Sequence, residues 1–196
     1  MTEKIKLNAA SGGGSVSLQA PSSSSNNRVF TIPDVADAVM ATVNGISEFD
    51  HWYLTSDVTA DGDITSNLSR NDKTGAPSQI GTGMSQSSGV FTFPSTGKYL
   101  VIVSVEYGLN GSDNVNFRTQ VTTNNSSYSN QGRAIDGNNG SGVRSGNATS
   151  FSFIDVTDTS QVKVKFNVSS ITAGSTVKGD ATDISTSFVF VRLGNT

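Results

Sequence analysis

Apolar residues recur at every second position over residues 89–107, Gly-Val-Phe-Thr-Phe-Pro-Ser-Thr-Gly-Lys-Tyr-Leu-Val-Ile-Val-Ser-Val-Glu-Tyr. That period predicts a short strand, a turn over residues 94–97 and then a long strand. Successive side chains of a strand point to opposite faces. Tyr99, Val101, Val103, Val105 and Tyr107 therefore share one face, and Leu100, Ile102, Ser104 and Glu106 share the other. The first face is apolar throughout and the second over only half its length. Such a strand is covered on both sides at one end and wet on one side at the other.

Alternation also organises the rest of the chain. Ile5 and Leu7 alternate with Lys4, Lys6 and Asn8; Gly12-Gly13-Gly14 interrupts; Val16 and Leu18 then alternate with Ser15, Ser17 and Gln19. A polar loop over residues 21–27 leads into a strand over residues 28–33 that carries Val29 and Ile32. Strands this short do not stand alone, so residues 1–48 read as an arm that orders against a partner chain or the main domain. Residues 34–45 read equally well as a short helix, capped by Asp34 and stopped by Gly45, or as an irregular connector.

The main domain is expected over residues 49–196. Strands are predicted over residues 51–55, 64–68, 79–84, 115–121, 149–156, 161–168 and 187–193, besides the central pair. Residues 122–147 are rich in Asn, Ser and Gly, with Tyr128, Ile135 and Val143 as the apolar anchors. They read as a long loop, functional or hiding a short strand. The stretch Ser-Phe-Val-Phe-Val-Arg-Leu at 187–193 is apolar on both faces, which places it in a sheet interior or at a subunit interface. Many short strands with polar turns predict an all-β sandwich.

Composition sharpens this picture. Charged residues make up 15 % of the 196, well below the usual quarter, and Ser, Thr, Asn and Gly take their place. Disorder favours high net charge and few aromatics. Here the net charge is −3 and 10 Phe and 4 Tyr sit inside alternating runs, so the polar residues are read as surfaces and loops of a folded β-protein. The absence of Cys favours assembly inside a cell over secretion with disulfides. No apolar h-region follows Met1 and no run reaches the ~20 apolar residues of a membrane span, so no membrane partner is expected. The mild acidity argues against nucleic acid.

No catalytic set emerges. His51, the sole His, adjoins Trp52 in an apolar strand and reads as a packed or interfacial residue. Asp61 and Asp63 flank Gly62 and are the only metal candidates, but the further spaced oxygens of a calcium loop are missing, so a turn is expected. Asp155 and Asp158 bracket a turn and are read as its acceptors. Gly12-Gly13-Gly14 lacks the Lys and helix of a phosphate loop and reads as a linker. No cofactor is expected. The aromatic set Trp52, Tyr99, Tyr107, Phe117, Phe151, Phe153, Phe188 and Phe190 reads mainly as core, with some members at an interface.

Three pieces together resemble the C1q/tumour-necrosis-factor (TNF) jelly roll: residues 89–105; the strand, turn and strand of residues 151–166; and the closing Ser187-Phe-Val-Phe-Val-Arg-Leu-Gly. The family's usual Gly-Asp turn between the paired late strands is Asp158-Thr159-Ser160 here. The resemblance implies a jelly-roll β-sandwich that forms a compact homotrimer, its axis lined by aromatic and aliphatic side chains. With the two-faced strands, it makes Leu100, Ile102, Phe188 and Phe190 the expected trimer contacts.

The segments Ile-Lys-Leu-Asn from Ile5, Gly-Gly-Gly-Ser-Val-Ser-Leu-Gln-Ala-Pro from Gly12, and Ser-Asn-Asn-Arg-Val-Phe-Thr-Ile-Pro-Asp from Ser25 resemble a leader of tailed-bacteriophage virion-appendage proteins. This resemblance implies attachment to the major capsid protein or another virion protein through Ile5, Leu7, Val16, Leu18, Val29 and Ile32. The expectation is a non-enzymatic virion structural protein, assembled in the host bacterial cytoplasm. It would sit on the virion surface as a trimeric capsid decoration, cement or head fibre. The alternative is a tail-fibre or receptor-binding adhesin tip whose 122–147 segment touches host-surface glycan.

Overall fold

The computed structural model describes residues 4–8, 11–13, 15–19, 23, 45–76, 79–172 and 174–196. They fall in two units, Met1–Thr42 and Val43–Thr196. In the first, β1 (Lys4–Asn8) and β2 (Ser15–Gln19) form an antiparallel hairpin. Ile5 lies opposite Leu18 and Leu7 opposite Val16, so four of the six expected attachment residues are cross-strand partners. Gly12 and Gly13 take φ of 87° and 71° in the turn, a region open to glycine at no steric cost. Val29, Ile32, the strand over residues 28–33 and the helix or connector over residues 34–45, Gly45 excepted, lie outside the described residues.

The second unit is built entirely of strands among its described residues. They are β3 (Phe49–Leu54), β4 (Ser56–Val58), β5 (Gly62–Asp63), β6 (Leu68–Arg70), β7 (Gln79–Ile80), β8 (Ser85–Ser87) and β9 (Val90–Thr92), then β10 (Gly97–Asn110), β11 (Asp113–Thr122), β12 (Tyr128–Asn138), β13 (Val143–Val156), β14 (Lys163–Ser169), β15 (Thr176–Asp180) and β16 (Ser187–Gly194). All pairings are antiparallel. The first sheet runs β6, β3, β16, β10, β13, with β7 beside β3. Because β13 pairs with β10 along its full length, β16 and β15 must share the other edge of β10, one after the other, and β4 lies beyond β15. The second sheet runs β8, β9, β14, β11, β12, with β5 beside β14. From β9 onward the chain crosses repeatedly from sheet to sheet, and this is a jelly-roll sandwich.

The alternation of β10 explains its place at the centre. Tyr99, Val101, Val103, Val105 and Tyr107 are each at most 1 % exposed and face the second sheet. From that sheet come Val115, Phe117 and Val121 of β11 and Val164, Phe166 and Val168 of β14. Aromatic rings tie the layers together: Phe166 stacks on Phe188 at 4.3 Å, and Phe91 meets Trp52 edge-on at 5.3 Å and Phe190 at 5.2 Å. Such pairs contribute about 0.5–1.5 kcal/mol each beyond area burial.

The 122–147 segment is not a long loop. It forms β12 and the start of β13, leaving short connections at residues 123–127 and 139–142. Its low apolar content has a packing cause. Gly132 lies opposite Thr119, and a Cβ there would collide with Ser152 Oγ. A Cβ on Gly146 would collide with the Asp136 carboxylate. Small residues thus let the sheet edges close on each other along β12 and β13, while backbone pairing holds the strands. Two other expectations shift for turn-related reasons. Ile64 is buried in the core and Asn67 takes φ of 59°, so the strand starts only at Leu68. Gly81 and Gly83, with φ of 74° and 70°, split residues 79–84 between β7 and a turn.

Candidate functional site

The outward face of the first sheet carries the feature that most needs explaining. Leu100 lies between Phe153 and Val191 of the flanking strands, and Ile102 between Phe151 and Val189. These residues form one apolar block. Phe151 is 60 % exposed, Phe153 72 % and Leu193 55 %, while Leu100, Ile102, Val189 and Val191 are half-buried. Farther along the same strands the face turns polar, with Ser104 between Thr149 and Ser187, and Glu106 opposite Asn147. At the apolar end a groove of about 410 Å³ is lined by Tyr99, Phe153, Ile154 and Leu193, with Lys98 and Asp155 at its rim. Lys98 and Asp155 pair at 3.4 Å with about half of each side chain exposed, a contact that adds little stability.

Two expected interface residues are placed elsewhere. Phe188 and Phe190 are 0 % and 1 % exposed and fill the core of the sandwich. Both faces of β16 are apolar, so composition does not decide which one turns inward. Pairing decides: Phe188 aligns with Val103 and Phe190 with Val101, both inward residues of β10. The outward set of β16 is Val189, Val191 and Leu193. Conversely, Phe151 and Phe153, read mainly as core, stand outward because Ser150 and Ser152 take the inward positions of β13. Leu100 and Ile102 do lie on the outward face.

The remaining candidates serve structure. Asp50 is 1 % exposed and accepts hydrogen bonds from Trp52 Nε1 at 2.8 Å, Arg70 Nε at 2.9 Å and the Met84 N–H at 2.6 Å. The Arg70 guanidinium lies 4.8 Å from the centre of the Trp52 ring. His51 accepts from Asn71 Nδ2 at 3.1 Å through Nδ1. Its Nε2 is buried without a partner among the described residues. Burial pushes the His51 pKa down, against the opposing pull of Asp50, so the ring is neutral near pH 7. Asp61 and Asp63 do not converge: Asp61 accepts the Ile171 N–H at 2.8 Å, and the two Asp63 oxygens accept from Lys165 at 2.7 Å and Asn167 at 2.8 Å. Among the described residues no group of three His, Asp or Glu is arranged to hold a metal. Asp158 accepts from the Ser160 N–H and hydroxyl at 2.8 and 2.7 Å, stitching the turn before β14, while Asp155 pairs with Lys98.

No protein-family model matches the chain, and no curated protein matches its sequence. Its fold does have solved counterparts. A crystal structure of murine APRIL at pH 5.0 superimposes with a TM-score of 0.55 at 12 % identity, over 74 % of this chain and 98 % of that one. The structure of Eiger TNF from S. frugiperda gives 0.54 at 14 % identity, over 76 % and 94 %. The likeness shows a TNF-like jelly roll.

Proposed function

We propose that this is a non-enzymatic structural protein that assembles as a homotrimer through the outward face of its first sheet. The observation that carries the proposal is the block around Leu100, Ile102, Phe151 and Phe153, which a lone subunit leaves in water. Contiguous exposed apolar patches on soluble proteins mark interaction sites. A closed symmetric assembly buries three copies of one patch together, and the jelly roll is of a kind that the sequence resemblance associates with trimers. The arm of residues 1–48 is proposed as the anchor. Its hairpin is a separate unit from the sandwich, and its sequence resembles bacteriophage appendage leaders. Together these features support a virion-surface decoration, cement or head-fibre protein.

The test has two parts. Light scattering on the purified full chain is expected to give the mass of a trimer, and a stable monomer at micromolar concentration would refute the assembly. A chain lacking residues 1–45 is expected to stay trimeric yet fail to join particles. Retained incorporation would refute the anchoring role. Copy number per particle then separates capsid decoration, at hundreds, from a tail position, at a few to tens.

A further inference from the structure

The outward face of the second sheet differs in kind. β14 contributes Lys163 and Lys165, β11 contributes Arg118 and β12 contributes Arg133, against Asp63 alone from β5. This cationic face belongs to a chain of net charge −3. Arg118 and Arg133 are direct cross-strand partners. Like charges directly opposite each other destabilise a sheet, and a sequence that keeps a local conflict usually does so at a functional site.

The details favour an anionic ligand. Arg118 donates to Ser169 Oγ at 2.7 Å, and Arg133 Nε donates to Asn116 Oδ1 at 2.6 Å. Neither guanidinium meets a carboxylate among the described residues. Asp63 is spent on Lys165 and Asn167. Arg118, Asn130, Gln131 and Arg133 line a depression of about 220 Å³. Arg133 is shared with a second depression of about 420 Å³ lined by Asn114, Asn116, Asn138, Asn139 and Thr172. Asp113 also lines that second depression, and its oxygens accept from the N–H groups of Asn114 and Thr172.

We infer that this double groove binds an acidic glycan, with Arg118 and Arg133 gripping a sugar carboxylate and the flanking amides meeting neighbouring hydroxyls. Arg matches a carboxylate with a planar fork of donors. The groove residues include no aromatic ring on which bases could stack, unlike single-strand nucleic-acid sites. The inference does not depend on the trimer or on the virion role.

The test uses the full chain and calorimetric titration with oligogalacturonate, its fully methyl-esterified form, and an oligothymidylate of equal charge. Binding is expected for the acid only, weakening as salt is raised. Arg118→Gln and Arg133→Gln should each weaken it about tenfold, while Lys178→Gln, at a distant ion pair, leaves it unchanged. Melting temperatures of both Arg variants should stay at or above that of the parent, since each removes a like-charge pair. The inference is overturned by equal binding of the ester, by equal binding of the oligothymidylate, by no binding of the acid, or by folded Arg variants that bind as the parent does. The ester comparison holds even if an Arg variant fails to fold.

Discussion

Replacing Phe151 and Phe153 together by serine separates assembly from folding. A phenylalanine has about 150–250 Å² to bury. At 60 % and 72 % exposure, the two rings of one subunit leave roughly 260 Å² open, taking ~200 Å² for each. Covering that area at ~25 cal/mol per Å² is worth about 6.5 kcal/mol per subunit. Association recovers only part of such a sum, because ordering and lost translational freedom oppose it. A loss of about half, near 3 kcal/mol, is expected, or roughly a hundredfold in the dissociation constant. Folding of the subunit should be nearly unchanged, because neither ring lies in the core. Phe188→Ala should do the reverse, costing about 3–5 kcal/mol of subunit stability through a core cavity. Light scattering across a dilution series reads the first effect, and urea unfolding of the same samples reads the second. The reasoning fails if the double serine variant keeps the parent mass at every dilution, or if Phe188→Ala dissociates the assembly while leaving the urea midpoint in place.

Two further outcomes follow from polar side chains held by hydrogen bonds. Asp50→Ala strips the partner from Arg70, Trp52 Nε1 and the Met84 N–H at once, and should lower stability by about 3 kcal/mol, read as a shift in the urea midpoint; a shift within error would show the network to be dispensable. Stability should also fall with acid in two stages. The His51 pKa lies below its ordinary 6.5 in the folded chain, so the unfolded chain takes up that proton first and stability declines as pH drops below about 6.5. Burial pushes the Asp63 and Asp113 carboxyls up, but hydrogen bonds, from Lys165 and Asn167 to the first and from Ser175 and Thr172 to the second, outweigh it and hold both below 3.8. Their contribution is present above pH 3.8 and lost below it. Melting temperature against pH should show both stages, and His51→Gln should remove the upper one; an upper stage that survives this substitution assigns it to another group.

The inward face of β10 is legible in the sequence because five apolar residues fall at a strict period of two. So is the outward position of Leu100 and Ile102. The misplaced aromatics share one cause, which is that pairing register is not written into a single strand. Phe188 and Phe190 alternate with Val189 and Val191, so either set suits the core until Val101 and Val103 select one across the ladder. Phe151 and Phe153 look like core residues, and only the burial of Ser150 and Ser152 turns them outward. Residues 122–147 show no usable alternation, since Ala134 turns inward, its apolar neighbour Ile135 turns outward and the buried Asn138 is polar. The strand is hidden by glycines whose reason, the close approach of β12 to β13, is tertiary. The Arg118–Arg133 pair is likewise invisible until β11 and β12 are set side by side.

The placement of β16 also bears on how the domain comes into being. This final strand lies between β3 and β10 in the first sheet, so the strand that opens the domain pairs with the strand that closes it. While the ribosome is still adding residues, β3 and β10 have an unfilled gap between them, with a bare ladder edge on each side. The sheet can close only after the last strand has emerged. Non-local pairing of this kind makes folding slow and leaves the nascent chain open to aggregation in the interval. The waiting time is built into the strand order, and the low charge of the chain offers little repulsion to guard it.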